Sequence, residues 1–164
     1  MSWEDYLARG EYGEYIDGSF YPRMVTGEHQ DVVQALYVLL AGTGHRVFAT
    51  WGWRPTSARR KHEPDLMVID REHAGRVDRR SQYWDGPVAL LVEVLSPSNE
   101  SKDWVRNMRD YAALGCPEYW IVSPWGRAVH VFGLVDGAYE LDEVITGVRE
   151  LPRWGLAVDT DVLL

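Results

Sequence analysis

Lysine is almost missing from this chain: of 164 residues, only Lys61 and Lys102 are lysines. Arginine supplies the remaining fixed positive charge, yet 17 Lys plus Arg face 25 Asp plus Glu, leaving a formal charge of −8. That balance excludes a protein that coats nucleic acid by overall charge. Any contact with phosphate has to be local. Cysteine is scarcer still. Cys116 stands alone, so no internal disulfide forms, which suits a reducing compartment such as the cytoplasm. No run approaches the roughly 18 apolar residues of a membrane helix. The acidic start MSWEDYLARGEYGEY lacks the basic-then-apolar order of a signal peptide. No Cys/His cluster has zinc spacing, and no serine has a base at nucleophile spacing, which argues against Ser/His catalysis.

The sequence does carry 46% hydrophobic residues and eight tryptophans, enough for the core of one domain over residues 1–164. Asp17-Gly18 marks a hairpin turn. Thr26 is a helix N-cap candidate, followed by Val32, Val33, Leu36, Leu39 and Leu40 at helical spacing and stopped by Gly42 and Gly44. VFATWGW (47–53) and DLMVID (65–70) read as strands, with Trp51 and Trp53 on one side of the first. Residues 71–87 read as a polar, Arg-rich loop. VALLVEVL (88–95) is almost continuously apolar, the pattern of a strand buried on both faces. KDWVRNMRDYAAL predicts a second helix, with Trp104, Met108, Tyr111 and Ala112 on one face. EYWIVS, AVHVFGL and AYELDEV are further strands, the last two joined at Asp136-Gly137. LAVDTDVLL reads as a final strand. The expectation is an α/β fold: a mixed β-sheet flanked by helices, with an N-terminal hairpin.

Glu93 is the anomaly in that pattern. A carboxylate inside VALLVEVL is costly to desolvate unless a partner or a metal compensates it. Asp65 follows Pro64 at the start of the preceding strand. If the two strands pair, both carboxylates can reach one end of the sheet. Two hard oxygen ligands with water on the remaining positions suit Mg²⁺ or Mn²⁺. The competing readings are a buried glutamate satisfied by arginine or backbone amides, and a capping aspartate.

EPDLMVI, LVEVLSPSNESKDW and DYAALGCPEYWIV, in that order and with His29-Gln30 upstream, resemble the Uma-type family of putative restriction endonucleases within the PD-(D/E)xK superfamily. The resemblance covers essentially the whole chain. It implies a restriction-endonuclease-like fold and metal-dependent hydrolysis of DNA, with Asp65, Glu93 and the Val94 carbonyl holding the ion. It also implies pairing as homodimers. Two positions depart from the family pattern. The superfamily lysine falls at Leu95, and the family's alternative lysine, in the helix pattern D-x-x-x-K-x-x-x-Y, falls at Asn107 between Asp103 and Tyr111. Asparagine donates a hydrogen bond but supplies no charge. The family's hairpin glutamate falls at Ser19, with Glu28 as a stand-in ligand candidate. Lys102 is a solvated residue near the helix start in this reading. Arg59, Arg60 and Lys61, just before Asp65, form a candidate phosphate clamp or a solvated loop. The alternative to a nuclease is a nuclease-fold module that has lost catalysis and binds or regulates. The absent lysine and the acidic charge favour the alternative; Asp65 and Glu93 favour the enzyme.

Overall fold

The computed structural model describes residues 1–22, 25–55, 60–96 and 103–164. A six-stranded sheet holds the fold together. It contains β3 (Arg46–Ala49), β5 (Leu66–Ile69), β7 (Leu90–Val94), β8 (Glu118–Ser123), β9 (Ala128–Val135) and β10 (Ala138–Ile145), in the order β10-β9-β8-β7-β5-β3. Only the β7–β8 pair is parallel; its neighbours run antiparallel. All five residues of β7 are buried, as the unbroken apolar run predicts for a strand with neighbours on both edges. Alternation along β7 splits its side chains between two cores. Leu90, Val92 and Val94 face one core together with α2 (Gly27–Ala41), through Val32, Val33, Leu36 and Leu40. Leu91 and Leu95 face the other, with Met67, Tyr111 and Tyr119. Burying each large apolar side chain stabilises the fold by about 1.5–3 kcal/mol before entropy is subtracted. Helix α2 starts where the sequence places it: the Thr26 hydroxyl accepts the His29 N–H at 3.3 Å.

The Asp17-Gly18 turn joins β1 (Gly13–Ile16) to β2 (Ser19–Pro22), with both residues at positive φ, the geometry that a two-residue hairpin requires. Four sequence expectations need correction. First, VFATWGW is two strands. Thr50 adopts φ 50°, the chain turns, and β4 (Gly52–Trp53) pairs with β6 (Tyr83–Trp84) in a separate two-stranded sheet. Trp51 and Trp53 therefore do not alternate along one strand, and Trp53 is 1% exposed. Second, residues 71–87 are not a plain loop, because they contain α3 (Arg71–Ala74) and β6. Third, LAVDTDVLL does not join the main sheet. Its first part is β12 (Leu156–Asp159), paired with β11 (Val148–Leu151), and its end is the short helix α5 (Thr160–Leu163). Fourth, an N-terminal helix, α1 (Trp3–Arg9), precedes the hairpin. Its signal in the sequence is a capping box, in which Ser2 and Asp5 exchange side chain-to-backbone bonds.

The second helix begins as a π-helical turn, Asp103–Asn107, and continues as α4 (Met108–Ala113). Such wide turns concentrate at functional sites, and this one adjoins the buried acids.

Candidate active site

The β5–β7 register pairs Leu66 with Val92. Continued by one residue, it sets Asp65 opposite Glu93. The N-terminal end of β5 thus meets the C-terminal end of β7, and both acids are deeply buried, 0% and 2% exposed. The Thr50 turn secures this end from the edge, since the Thr50 N–H donates to the Asp65 carbonyl at 3.1 Å. A β-branched residue at positive φ costs roughly 1–3 kcal/mol, so surrounding contacts hold the turn in place.

Each carboxylate is gripped by donors. Asp65 Oδ2 accepts the N–H of Val94, the residue after Glu93, at 2.7 Å. Asp65 Oδ1 lies 3.1 Å from His29 Nε2, and that ring is 6% exposed. Glu93 Oε1 accepts the Tyr111 hydroxyl at 2.7 Å and the Asn107 side-chain amide at 3.2 Å. The helix spacing therefore brings positions 107 and 111 together on Glu93. The side chain of Asp103 and the residues Ser98, Arg59 and Lys102 lie outside the described part of the chain. Burial, above all, holds the Tyr111 phenol well above its ordinary pKa, with the nearby Glu93 and Glu14 charges adding to it. Tyr111 is thus a fixed proton donor to Glu93 and not a base.

Glu14 is a site residue that the sequence pattern does not reveal. It sits on β1, nearly buried, where its Oε2 pairs with Arg106 and its Oε1 lies 3.5 Å from His62 Nδ1. His62 is fully buried, 3.9 Å from Asp110 on its other side and edge-on to the Tyr111 ring at 5.2 Å. A hairpin acid does face the site, but at position 14 rather than 19. The pleat alternation of GEYI gives no warning, because all four residues of β1 are buried. Glu28, in contrast, is exposed and lines a cavity of about 510 Å³ with His29, Leu95, Ser96 and Trp125. This cavity opens at the end of β7 that carries the acids.

The proposed basic clamp is corrected at Lys61. That residue is 3% exposed, and its ammonium is taken up by Glu63, by the Tyr6 hydroxyl at 2.8 Å and by the Gly13 carbonyl at 3.4 Å. The mixed composition around position 61 could not reveal this inward turn. Arg60 is partly exposed, but it pairs with Asp17 at 2.6 Å and Asp110 at 2.8 Å, and the bond to Asp17 raises its pKa. Arg79 and Arg80, outside that clamp in the Arg-rich stretch 71–87, are exposed.

Among the described residues, no three His, Cys, Asp or Glu side chains converge into a complete metal cage. The donor chemistry still fits a hard divalent cation. Two carboxylates lie at adjoining strand ends beside the Val94 backbone, and such ions keep several waters when protein supplies one or two acids.

Cys116 belongs to the same core and has no place in the chemistry. Its buried thiol is pushed up to about 12, chiefly by desolvation. The folded thiol thus keeps its proton at pH values where the unfolded thiol, near 9, has lost it. Stability is complete below pH 9 and falls as pH rises from 9 towards 12; Tyr111 adds to the fall above pH 10. We expect native Cys116 to resist a thiol-specific chromophore at about pH 8, with full reaction only in denaturant. Stoichiometric labelling of the folded chain would contradict that assignment.

The comparisons with known proteins agree with this fold. The sequence pattern of the Uma2 family, described as putative restriction endonucleases, matches residues 3–159. No curated protein matches the chain. Among solved structures, a putative nuclease belonging to DUF820 from Anabaena variabilis superposes with a TM-score of 0.80. It covers 99% of this chain and 97% of its own at 17% identity, a likeness of fold alone. No helix among the described residues is long and apolar enough to cross a membrane. The chain belongs to the Uma2 family of putative restriction endonucleases.

Proposed function

We propose that this protein is a metal-dependent endonuclease that hydrolyses phosphodiester bonds in DNA, with Asp65, Glu93 and the Val94 carbonyl holding Mg²⁺ or Mn²⁺. The observation that carries this reading is the pair of buried carboxylates at the adjoining, register-opposed ends of β5 and β7, each oriented by its own donors. Held there, Mg²⁺ or Mn²⁺ would supply water activation and offset charge on the scissile phosphate. The chain's own groups prepare that site. The Val94 amide and His29 fix the two oxygens of Asp65. Tyr111 and Asn107 fix Oε1 of Glu93. The buried surroundings keep bulk water from the carboxylates and strengthen every charge interaction there. The decisive test is cleavage of plasmid and single-stranded DNA with Mg²⁺, with Mn²⁺ and with chelator.

A second reading, a binding or regulatory module without catalysis, is favoured by one observation. Both side-chain donors described on Glu93 Oε1, Asn107 and Tyr111, are neutral. Divalent-metal binding by calorimetry, followed by the cleavage assay, separates the two, since only the enzyme needs both.

With a net charge of −8, DNA binding is expected to be weak and steeply salt-dependent. Arg79 and Arg80 are exposed, while Lys61 is buried and cannot contribute to a surface patch. Replacing Arg79 and Arg80 by alanine should weaken binding to unrelated DNA sequences equally and lower the slope of log K against log salt by about 2. An unchanged slope in fluorescence anisotropy would remove these arginines from the interface.

A further inference from the structure

The helix pattern of the family carries a lysine where this chain has Asn107, and Asn107 is 1% exposed and bonded to Glu93. An amide in that place has a problem of orientation. Its nitrogen suits a carboxylate, but rotation by half a turn would bring its oxygen against the same negative charge. The neighbouring residue resolves the ambiguity. Arg106 Nε donates to Asn107 Oδ1 at 3.1 Å, which aims Nδ2 at Glu93 Oε1 at 3.2 Å. The same guanidinium pairs with Glu14 through Nη2. One cation therefore touches the hairpin acid directly and the strand acid through a single amide. Both residues lie on the π-helical turn Asp103–Asn107.

We propose that Arg106 is the positioning cation of this site, standing one residue ahead of the family's lysine position and acting on Glu93 through Asn107. The inference rests on reading Asp65 and Glu93 as the reactive centre, and it deepens that reading. Arg106 orders the amide, the amide holds Glu93, and the guanidinium anchors the β1–β2 hairpin to the helix through Glu14. Its side chain is 23% exposed.

The test uses the full chain and five variants: Arg106→Gln, Arg106→Lys, Arg106→Gln with Asn107→Lys, Arg109→Gln and, for signal assignment, Asn107→Asp. Arg109 is a surface control, 73% exposed and bonded to Asp110. The first readout needs no activity: hydrogen exchange of the Asn107 side-chain amide by NMR, its signal assigned by its loss in Asn107→Asp. Protection should fall at least tenfold in Arg106→Gln, stay near the wild-type value in Arg106→Lys, and be untouched in Arg109→Gln. The second readout is Mn²⁺-dependent plasmid cleavage. Arg106→Gln should lower kcat by about 10²-fold with KM within threefold, on the scale of losing one preorganised donor. Arg106→Lys and the Arg106→Gln, Asn107→Lys pair should regain most of that loss, and Arg109→Gln should cut like wild type. Thermal unfolding checks that each variant is folded, and where Arg106→Gln is not, the Arg106→Lys and double-variant comparison decides. Unchanged amide protection, or an Arg106→Gln protein that cuts as fast as an active wild type, overturns this inference alone. A wild-type chain that neither binds Mn²⁺ nor cuts DNA overturns both it and the reading beneath it.

Discussion

Glu93→Gln is expected to abolish metal-dependent DNA cleavage while leaving the fold intact. On the proposed reading the rate should fall on the order of 10³-fold or more, because the substitution would remove charge that balances a bound cation and charge developing on the phosphate. The fold should survive because the amide keeps an oxygen in the place of Oε1. Tyr111 and Asn107 then still have an acceptor at 2.7 and 3.2 Å. Removing a buried charge also lifts a desolvation cost, so the melting temperature should stay level or rise. Asp65→Asn should lose activity equally but carry a structural penalty. Both oxygens of Asp65 face nitrogen donors, the Val94 amide and His29, and asparagine can satisfy only one of them as an acceptor. The pair of variants thus separates charge from geometry. The measurement is initial cleavage rate beside a thermal melt. A Glu93→Gln protein that cuts at more than a tenth of the wild-type rate would sink the metal-site reading.

Glu63→Ala should be the most destabilising of the single substitutions considered, by roughly 3–5 kcal/mol, because it strands a buried ammonium. Lys61 lies beneath the N-terminal segment and joins α1 to β1. Its ammonium meets Glu63 and the Tyr6 hydroxyl of α1, and Tyr6 in turn donates to the Gly13 carbonyl at 2.8 Å. Its backbone bridges to Tyr15 of β1. Gly52 makes room for the side chain, since a Cβ there would sit 2.1 Å from Lys61 Cε. With Glu63 gone, the ammonium keeps only neutral partners among those described, and burial costs more than they return. For a chain of this size the loss corresponds to about 6–20 °C in melting temperature. The control is the double variant Lys61→Met with Glu63→Met, which removes both charges and fills the space. It should stay within about 1.5 kcal/mol of wild type or exceed it. Urea unfolding measures both. A Glu63→Ala loss below about 1 kcal/mol would show that Lys61 is hydrated in solution, contrary to its buried place here.

Much of the site is legible in the order of residues alone. VALLVEVL announces a central strand because a strand with neighbours on both edges and helices on both faces has no wet side. Its single glutamate stands out for the same reason. Pro-Asp, SPS and GCPEYW then point to the family, and the family's helix pattern from 103 to 111 points to Asn107 and Tyr111, which meet on Glu93. Local rules also place the hairpin at Asp17-Gly18 and the cap at Thr26, because turn and cap chemistry depends on a few adjacent residues.

What the sequence by itself determined was the order of elements, the central strand and the two acids, since periodicity and local capping report on which faces are dry. Only the tertiary structure decided which charges meet. Lys61 looked like part of a surface clamp and proved to be a buried strut. Arg106 carried no signal in the helix pattern and proved to hold Asn107 and Glu14. Glu14 was lost in a short strand with no polar face. Partnerships such as Arg106 with Glu14 or Arg60 with Asp110 join residues dozens of positions apart. No local pattern encodes them, because an ion pair is selected by where the packed sheet and hairpin bring two side chains, and by the low dielectric that makes an unpaired charge there too costly to keep.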